Sequence, residues 1–250
     1  MKILLTNDDG IESPGIQILA KKLREYGHKV SVIAPLLNRS GISHAISIIN
    51  DPVKLSVHGE DAWACTGFPA DCVLVGTLGK FIEKPDLVLS GINKGANIGT
   101  DIVYSGTAAG ARQASITGLP GIALSLHGNS PYNWDMAASW SAGHLEELLS
   151  YWAPDTFVNV NIPNNPSGPS GIAVTHPAIK DYNDVISVVN APDGNFWCFL
   201  TPGKETTKPA VSKEPAGSSE PDSDWNTVFR NFVSVSPIHS YAVLSKRVGA

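Results

Sequence analysis

Residues 2–35 decide the fold, and they read KILLTNDDGIESPGIQILAKKLREYGHKVSVIAP. The short apolar run Lys2–Thr6 predicts a buried strand, which ends where Asn7-Asp8-Asp9-Gly10 interrupts it. A helix is predicted over Pro14–Tyr26, because apolar residues recur at helical spacing and proline takes the first helical position. Lys29–Ala34 predicts a second strand. A β-α-β unit of this kind normally forms a right-handed parallel crossover.

The same alternation of strand and helix continues along the chain. Asp86–Ser90, Gly121–Leu126 and Phe157–Ile162 are predicted strands. Between them, Thr107–Ile116 and Asp135–Trp152 are predicted helices. Strands that alternate with helices predict an α/β fold with a doubly wound, mostly parallel sheet.

The character of the chain changes after Gly171. Ile186–Val189 and Phe196–Leu200 predict a β-hairpin, which either serves oligomerisation or simply lies at the edge of the sheet. Thr206–Asp224 is rich in Lys, Pro, Ser and Glu and predicts a mobile loop. Phe232–Val235 predicts a late strand.

Length and composition limit the classes of protein to consider. The 250 residues suit one domain, with an α/β core over about residues 1–170 and the hairpin, loop and last strand over about 171–250. The formal charge of −5 argues against binding to duplex nucleic acid. No apolar stretch approaches the length of a membrane helix, so we expect no membrane association. Cys65, Cys72 and Cys198 have no ligand spacing and indicate reduced thiols in a cytoplasmic protein.

Two adjacent carboxylates, Asp8 and Asp9, follow the first predicted strand. Ligands of open parallel sheets bind beyond the carboxyl ends of the strands. Adjacent carboxylates repel each other unless a cation or a basic side chain balances them, and hard divalent cations prefer oxygen ligands. The pair predicts a metal site, although a solvated turn that caps the loop accounts for it equally well.

Three further polar clusters lie at predicted strand ends or at a helix start. Asn38-Arg39-Ser40-Gly41 offers a hydroxyl and a flexible backbone to the same cation or to its anionic ligand, with a surface turn as the alternative. Ser90–Gly99 contains Asn93 and Asn97, which offer amide groups, with a long mobile loop as the alternative. The predicted Ala-rich helix begins at Ser105-Gly106-Thr107, where free backbone amides suit a phosphate group. The alternative role, N-capping by Ser105 or Thr107, is compatible with phosphate binding.

Other catalytic signatures are missing from the sequence. The seven histidines show no HxH or HExxH spacing, which argues against a zinc site. There is no Walker A loop, no dinucleotide fingerprint and no GxSxG elbow. His44 is the one histidine near a predicted site, and its role is catalytic or merely structural.

Five motifs in this order resemble the survival protein E family of 5′/3′-nucleotidases. They are ILLTNDDGIESPGIQILAKKL, VIAPLLNRSG, TGFPADCV, PDLVLSGINKGANIGTDIVYSGTAAGAR and LPGIALSL. FVNVNIP and DSDWNTVFRNFVSVSPIH extend the match more thinly. The resemblance implies a Rossmann-like, metal-dependent phosphatase that acts on nucleoside 5′- and 3′-monophosphates. It also implies a homodimer or homotetramer that exchanges the C-terminal hairpin, although the polar segment 206–220 and the short tail after Pro237 depart from the family pattern.

Carried onto the matching positions, the resemblance implies a set of site residues. The implied ligands of one Mg²⁺ or Mn²⁺ ion are Asp8, Asp9, Ser40 and Asn93. The implied phosphate pocket consists of Gly41, Asn97, Ser105, Gly106 and Thr107. In the mechanism we expect, the ion assists direct hydrolysis, Asp9 accepts the proton of the attacking water, and Asn7 and Asn97 orient the ligands.

Two other classes of protein place acidic residues after a first strand. An aspartyl-phosphate enzyme would use Asp8 or Asp9 as a nucleophile, but that class usually spaces its acids as DxD. A receiver-type signalling domain is about half this length and lacks the SGIN and SGT loops. Residues 51–63 are expected to form a loop that could set the base specificity of a nucleotidase.

Overall fold

The computed structural model describes residues 1–208 and 222–242. The strands are β1 (Lys2–Thr6), β2 (Lys29–Pro35), β3 (Leu55–Gly59), β4 (Ala62–Cys65), β5 (Leu87–Lys94), β6 (Gly121–His127), β7 (Thr156–Pro163), β8 (Ile172–Val174), β9 (Ile179–Asp181), β10 (Val185–Asn190), β11 (Phe196–Thr201), β12 (Thr206–Lys208) and β13 (Val233–His239). The helices are α1 (Pro14–Glu25), α2 (Pro69–Leu78), α3 (Asp101–Tyr104), α4 (Gly106–Ile116), α5 (Trp134–Gly143), α6 (Leu145–Ser150) and α7 (Asp224–Phe229).

Nine strands form one sheet in the order β3-β4-β2-β1-β5-β6-β7-β13-β8. β1 lies between β2 and β5 and runs parallel to both. The pairs β2–β4, β5–β6 and β6–β7 are also parallel, whereas β3 and β13 run antiparallel to β4 and β7. The predicted doubly wound, mostly parallel α/β sheet is therefore confirmed. Because β1 has β2 on one side and β5 on the other, its carboxyl end lies at the switch point where such sheets bind ligands.

Strand β1 is buried on both faces. Ile3 and Leu5 pack in one core cluster with Leu19 of α1. Leu4, between them, packs in a second cluster with Val73 of α2 on the opposite face. Burial on both faces explains why this strand is a continuous apolar run instead of an alternating one.

The helix predicted over residues 135–152 is two helices, α5 and α6, which separate at His144. The backbone N–H of His144 donates to the Trp140 carbonyl at 3.1 Å. The Nδ1 of the His144 ring donates to the same carbonyl at 2.8 Å, and the ring stacks on Trp140 with centroids 4.3 Å apart. The predicted single helix is therefore interrupted at His144, whose φ of −108° and ψ of 14° depart from helical values.

Residues 51–63, expected to form a loop, contain most of a β-hairpin. β3 and β4 pair antiparallel, with Leu55 opposite Cys65. β4 also pairs with β2, with Val32 opposite Ala62. This pairing joins segments about thirty residues apart, so the local sequence pattern does not reveal it.

The predicted C-terminal hairpin is confirmed as β10 and β11, which pair from Val185 opposite Thr201 to Asn190 opposite Phe196. The loop predicted over 206–224 is only partly described. Thr206–Lys208 pairs with β9, and Asp224 begins α7, so both ends of that segment are structured. Residues 209–221 and the end of the tail, 243–250, lie outside the described residues. Within the described ranges, no helix is both long enough and apolar enough to span a membrane.

Candidate active site

Asp8 lies directly after β1, against the first turn of α4. Only 4% of the residue is exposed. The Thr107 hydroxyl donates to its Oδ1 at 2.6 Å, and the Thr107 backbone N–H donates to its Oδ2 at 3.2 Å. Gly106 permits this approach, since a Cβ at that position would lie 2.8 Å from the Cβ of Asp8. Gly106 and Thr107 therefore hold the Asp8 carboxylate.

Burial raises the pKa of Asp8 to about 6, and the negative charge of Asp9 adds to the rise, while the Thr107 hydrogen bonds oppose it. The pKa of Asp9 is also raised by burial, against a backbone hydrogen bond from Lys94. That bond joins the Lys94 N–H to Asp9 Oδ2 at 3.0 Å. Two neighbouring carboxylates with raised pKa values form a pair that a bound cation would stabilise in the charged form.

Hydrogen bonds join the loop over residues 38–43 to Asp8 and to the end of α3. The Arg39 N–H donates to the Asp8 carbonyl at 2.6 Å. At the other end of the loop, the Ser43 N–H donates to the carbonyl of Tyr104, the last residue of α3, at 2.8 Å. The predicted site residues of this loop, Ser40 and Gly41, thus lie between a bond to Asp8 and a bond to α3.

Asn93 lies near the end of β5, which continues past the predicted strand end at Ser90 to Lys94. Its side-chain Nδ2 donates to the Gly95 carbonyl at 2.9 Å. Because the nitrogen is fixed in this way, the amide oxygen is the group that remains for a ligand.

Asn97 is held by polar groups that the sequence analysis missed. Its N–H donates to Asn161 Oδ1 at 2.8 Å, and its Nδ2 donates to Ser125 Oγ at 2.9 Å. Its carbonyl accepts from Nδ2 of Asn159 at 2.8 Å and of Asn161 at 3.1 Å. Both asparagines project from β7, whose sequence FVNVNIP places polar residues at alternate positions of a buried strand. That alternation was a signal that could have identified them.

Asn7 orders the loop after β1. Its Nδ2 donates to the Gly10 carbonyl at 2.9 Å and to Ser13 Oγ at 2.7 Å. Ser13 directly precedes α1, and its hydroxyl accepts this bond and makes no capping bond to the helix. Asn7 Oδ1 is buried and has no hydrogen-bond partner among the described residues.

Two cavities flank the acidic pair. The larger has a volume of about 560 Å³, and the predicted site residues that line it are Asp8, Ser40, Gly41, Asn93, Asn97 and Ser105. The smaller has a volume of about 260 Å³ and is lined by Asp9, Ser13, Pro14, Lys94, Tyr132 and Trp134. Lys94 lines both cavities. Asn7, Gly106 and Thr107 are absent from both linings, and of these three residues Thr107 is the one that donates to a carboxylate, that of Asp8.

The larger cavity is also lined by residues that the sequence analysis did not select: Lys94, Ala96, Asp101, Tyr104, Tyr182, Asp184 and Leu200. His44 is not among the lining residues. Its Nε2 lies 2.9 Å from Gln113 Oε1, and burial lowers its pKa. This contact favours the structural alternative for His44.

The donor set fits a hard divalent cation better than a soft one. Within residues 1–208 and 222–242, no three His, Cys, Asp or Glu side chains converge as a metal-binding group. The predicted set contains only two such residues, Asp8 and Asp9, and adds a hydroxyl and an amide oxygen. Oxygen donors of this kind are the ligands that Mg²⁺ and Mn²⁺ prefer.

Comparisons with known proteins show the family to which the chain belongs. The family model "Survival protein SurE" matches residues 3–184. The chain is 34% identical to the 5′-nucleotidase SurE of Thermosynechococcus vestitus over 95% of this chain and 90% of that protein. It is 36% identical to the 5′-nucleotidase SurE of Geobacter sulfurreducens over 98% and 92% of the two chains. The crystal structure of the SurE protein from Aquifex aeolicus superimposes with a TM-score of 0.79 at 33% identity, over 97% and 95% of the two chains. The chain therefore belongs to the survival protein SurE family.

Proposed function

We propose that this chain is a metal-dependent phosphomonoesterase that hydrolyses nucleoside 5′-monophosphates, and also 3′-monophosphates, to nucleoside and phosphate. The observation that carries the proposal is the buried Asp8, which lines a cavity together with Ser40, Asn93 and Asn97. The relatives named 5′-nucleotidase support the choice of a nucleotide as substrate.

A divalent cation, Mg²⁺ or Mn²⁺, fits this site by its oxygen donors. Asp8, Asp9, Ser40 and Asn93 would hold it. When bound, such a cation neutralises phosphate charge and lowers the pKa of water. Asn7, which precedes Asp8 in the chain, has a buried Oδ1 without a hydrogen-bond partner among the described residues, and an ion or its water would satisfy this group.

The start of α4 supplies the donors for the phosphate oxygens. The Thr107 N–H is used by Asp8, and the Ala108 N–H donates to Ser105 Oγ at 2.9 Å. We assign the Gly106 N–H, at the positive end of the helix, to the phosphate together with groups of Gly41 and Asn97.

Asp9 is the residue that we assign to proton transfer. Burial raises the pKa of Asp9. A carboxylate with a raised pKa is a better base for the attacking water. The hydrogen bond from the Lys94 N–H fixes its orientation. Asp8 accepts two bonds from Thr107, one at each carboxylate oxygen, and we assign it to holding the cation.

A panel of nucleoside 5′- and 3′-monophosphates, assayed with Mg²⁺, Mn²⁺ or EDTA, tests this proposal. We expect phosphate release that requires a divalent cation and that EDTA abolishes. Activity that persists at the same rate in EDTA would contradict the metal dependence. A covalent phospho-enzyme trapped on Asp8 or Asp9 would favour the aspartyl-phosphate mechanism instead.

We also propose that residues 1–250 form one cytoplasmic domain that assembles into a homodimer or homotetramer through the β10–β11 hairpin. Eight large apolar residues of this hairpin are between 52% and 65% exposed: Val185, Ile186, Val188, Val189, Phe196, Trp197, Phe199 and Leu200. Apolar patches of this kind mark interaction surfaces. The buried free thiols of Cys65 and Cys72 support a reducing compartment, and the net charge of −5 supports a partner other than duplex nucleic acid.

A further inference from the structure

The lining of the larger cavity contains residues of two chemical kinds. Asp8, Ser40 and Asn97 are polar, and the proposed function assigns the phosphate to them. Tyr104 and Tyr182 are aromatic, and their ring centroids lie 6.4 Å apart in an edge-to-face arrangement. A volume of about 560 Å³ falls in the range of about 300–1,000 Å³ that is typical of pockets for whole small molecules. The cavity is therefore large enough for more than a phosphate group.

The Tyr182 ring is held by a network of hydrogen bonds and ion pairs. Its hydroxyl donates to Asp101 Oδ1 at 2.7 Å. Asp101 Oδ2 accepts from Lys180 Nζ at 2.7 Å, and the same Nζ lies 2.8 Å from Glu205 Oε2. The Lys180 side chain is only 4% exposed, whereas the side chains of Asp101 and Glu205 are 24% and 45% exposed. A ring held in one orientation loses little conformational freedom when a flat ligand packs against it.

The negative charge of Asp184 disfavours a second phosphate beside it. Asp184 lines the cavity, and its Oδ1 accepts from the Gly203 N–H at 3.0 Å. A carboxylate accepts hydrogen bonds from hydroxyl or amino groups and repels further anions. Lys180 pairs with Asp101 and Glu205, whereas the contact made by Asp184 is to a neutral amide. Lys94 also lines the cavity and is the cation there that suits the single phosphate. The surroundings of Asp184 thus suit a neutral group that carries hydrogen-bond donors.

The smaller cavity also contains aromatic rings, but their faces are already in use. Tyr132 and Trp134 stack on each other with centroids 5.2 Å apart and an interplanar angle of 25°. Lys94 Nζ lies 5.7 Å from the centroid of the Tyr132 ring. A base that entered this cavity would have to displace one of these contacts.

Resting on the proposed function, we propose that Tyr104, Tyr182 and Asp184 form the nucleoside subsite of the enzyme. The tyrosine rings pack against the base, and the Asp184 carboxylate accepts a hydrogen bond from a ribose hydroxyl or a base N–H. The Lys180–Asp101 pair positions Tyr182 and does not itself contact the substrate. The preferred substrate class is accordingly a nucleoside with a single phosphoester.

The test compares two substrates that share the phosphoester and differ in the nucleoside. Adenosine 5′-monophosphate contains the base and the ribose, and glycerol phosphate contains neither. Steady-state kcat and KM are measured for both with the wild type, Tyr182→Ala, Tyr182→Phe and Tyr132→Ala. Tyr182→Phe retains the ring and loses the bond to Asp101, and Tyr132→Ala probes the smaller cavity.

We expect Tyr182→Ala to raise KM for adenosine 5′-monophosphate about 10- to 100-fold, the range of base–aromatic stacking, and to change KM for glycerol phosphate less than about threefold. Tyr182→Phe recovers most of the loss. Equal changes for both substrates, or a selective loss in Tyr132→Ala alone, would overturn the subsite. If the wild type hydrolyses glycerol phosphate but shows no preference for the nucleotide, the subsite is wrong and the phosphatase proposal stands. If it hydrolyses neither substrate, both proposals fail.

Discussion

At the scale of single residues, the environment of Asp8 links stability to function. The carboxylate is buried beside Asp9, and its hydrogen bonds come from one residue, Thr107. Burial raises the pKa of Asp8 to about 6, although these hydrogen bonds act to lower it. A buried charge without full compensation destabilises the fold, and a bound cation would remove that cost.

Asp8→Asn should remove phosphatase turnover while leaving the fold intact. The substitution keeps the size of the side chain and removes the charge that would hold the cation. We expect kcat to fall by roughly two to four orders of magnitude, as is typical when an electrostatic or acid–base group is lost. Phosphate release from a nucleoside monophosphate measures the effect.

A control for Asp8→Asn is Asp61→Asn, because Asp61 is exposed and its positive φ of 50° is tolerated by asparagine. It should retain wild-type turnover. Circular dichroism of both variants reports whether the fold is retained. A well-folded Asp8→Asn protein with wild-type kcat would contradict the assignment of Asp8 as a ligand.

The raised pKa of Asp8 predicts how cation binding depends on pH. The folded protein favours the protonated acid, so the stability that this group contributes is complete below its unfolded pKa of 3.8 and is lost as pH rises through about 6. The cation requires the carboxylate. Apparent affinity for Mn²⁺ should therefore rise about tenfold per pH unit below pH 6 and level off above it.

Thermal unfolding with and without Mn²⁺, at several values between about pH 5 and pH 8, measures this dependence. The rise in Tm caused by Mn²⁺ should grow as pH increases through 6. Asp8→Asn serves as the comparison, since it lacks the titrating group. An increase in Tm that is the same at every pH would show that Asp8 does not titrate on binding.

At the scale of secondary-structure elements, the close approach of β1 to α4 forms the site. Gly106 is the residue that permits it. A Cβ there would lie 2.8 Å from Asp8 Cβ and 2.9 Å from its Oδ2. Neither atom can withdraw easily, because Asp8 is bonded to Thr107 in the same turn.

Gly106→Ala should therefore reduce activity although alanine favours helix formation. Displacement of the Asp8 carboxylate should lower kcat/KM by roughly 10- to 100-fold, since small misplacements of site groups have effects of this size. The matched control is Gly143→Ala at the end of α5, where the nearest atom to the added Cβ is the Tyr26 hydroxyl at an ordinary 3.5 Å. Equal kinetics for the two variants would contradict this role of Gly106.

Some parts of the site are defined by local sequence, and others depend on contacts between distant residues. The strand before Asp8 and the helix after Ser105 were predictable, because a local apolar run and a local cap define them. Asn161 and Tyr182 were not selected, because each reaches the site through contacts with residues more than sixty positions away. The acidic pair Asp8 and Asp9 predicted a metal site by itself, whereas Ser40 and Asn93 were assigned as ligands by resemblance, and the roles of all four in this chain remain predictions.

At the scale of the whole molecule, the β10–β11 hairpin has apolar residues that a single chain leaves exposed to solvent. Every residue of both strands is exposed. Leu200 belongs to this hairpin and also lines the larger cavity. Assembly through the hairpin would therefore affect the surroundings of the substrate as well as the oligomeric state.

Trp197→Lys should weaken or abolish the proposed oligomer, because a lysine in an apolar interface loses its hydration without a partner. Light scattering coupled to size-exclusion chromatography measures the mass. The control is Val57→Lys, which changes an 80% exposed apolar residue on β3, outside the hairpin. Wild-type protein that elutes as a monomer, or a Trp197→Lys protein that keeps the oligomeric mass, would contradict this interface.

The central claim is that Asp8 and Asp9 hold the cation on which phosphatase activity depends. Anomalous diffraction from crystals of the active protein grown with Mn²⁺ tests it most directly, because it locates the ion. We predict one manganese peak in contact with the carboxylates of Asp8 and Asp9, and none at that position in crystals of Asp8→Asn. A manganese-dependent enzyme whose only bound ion lies away from both carboxylates would contradict the claim.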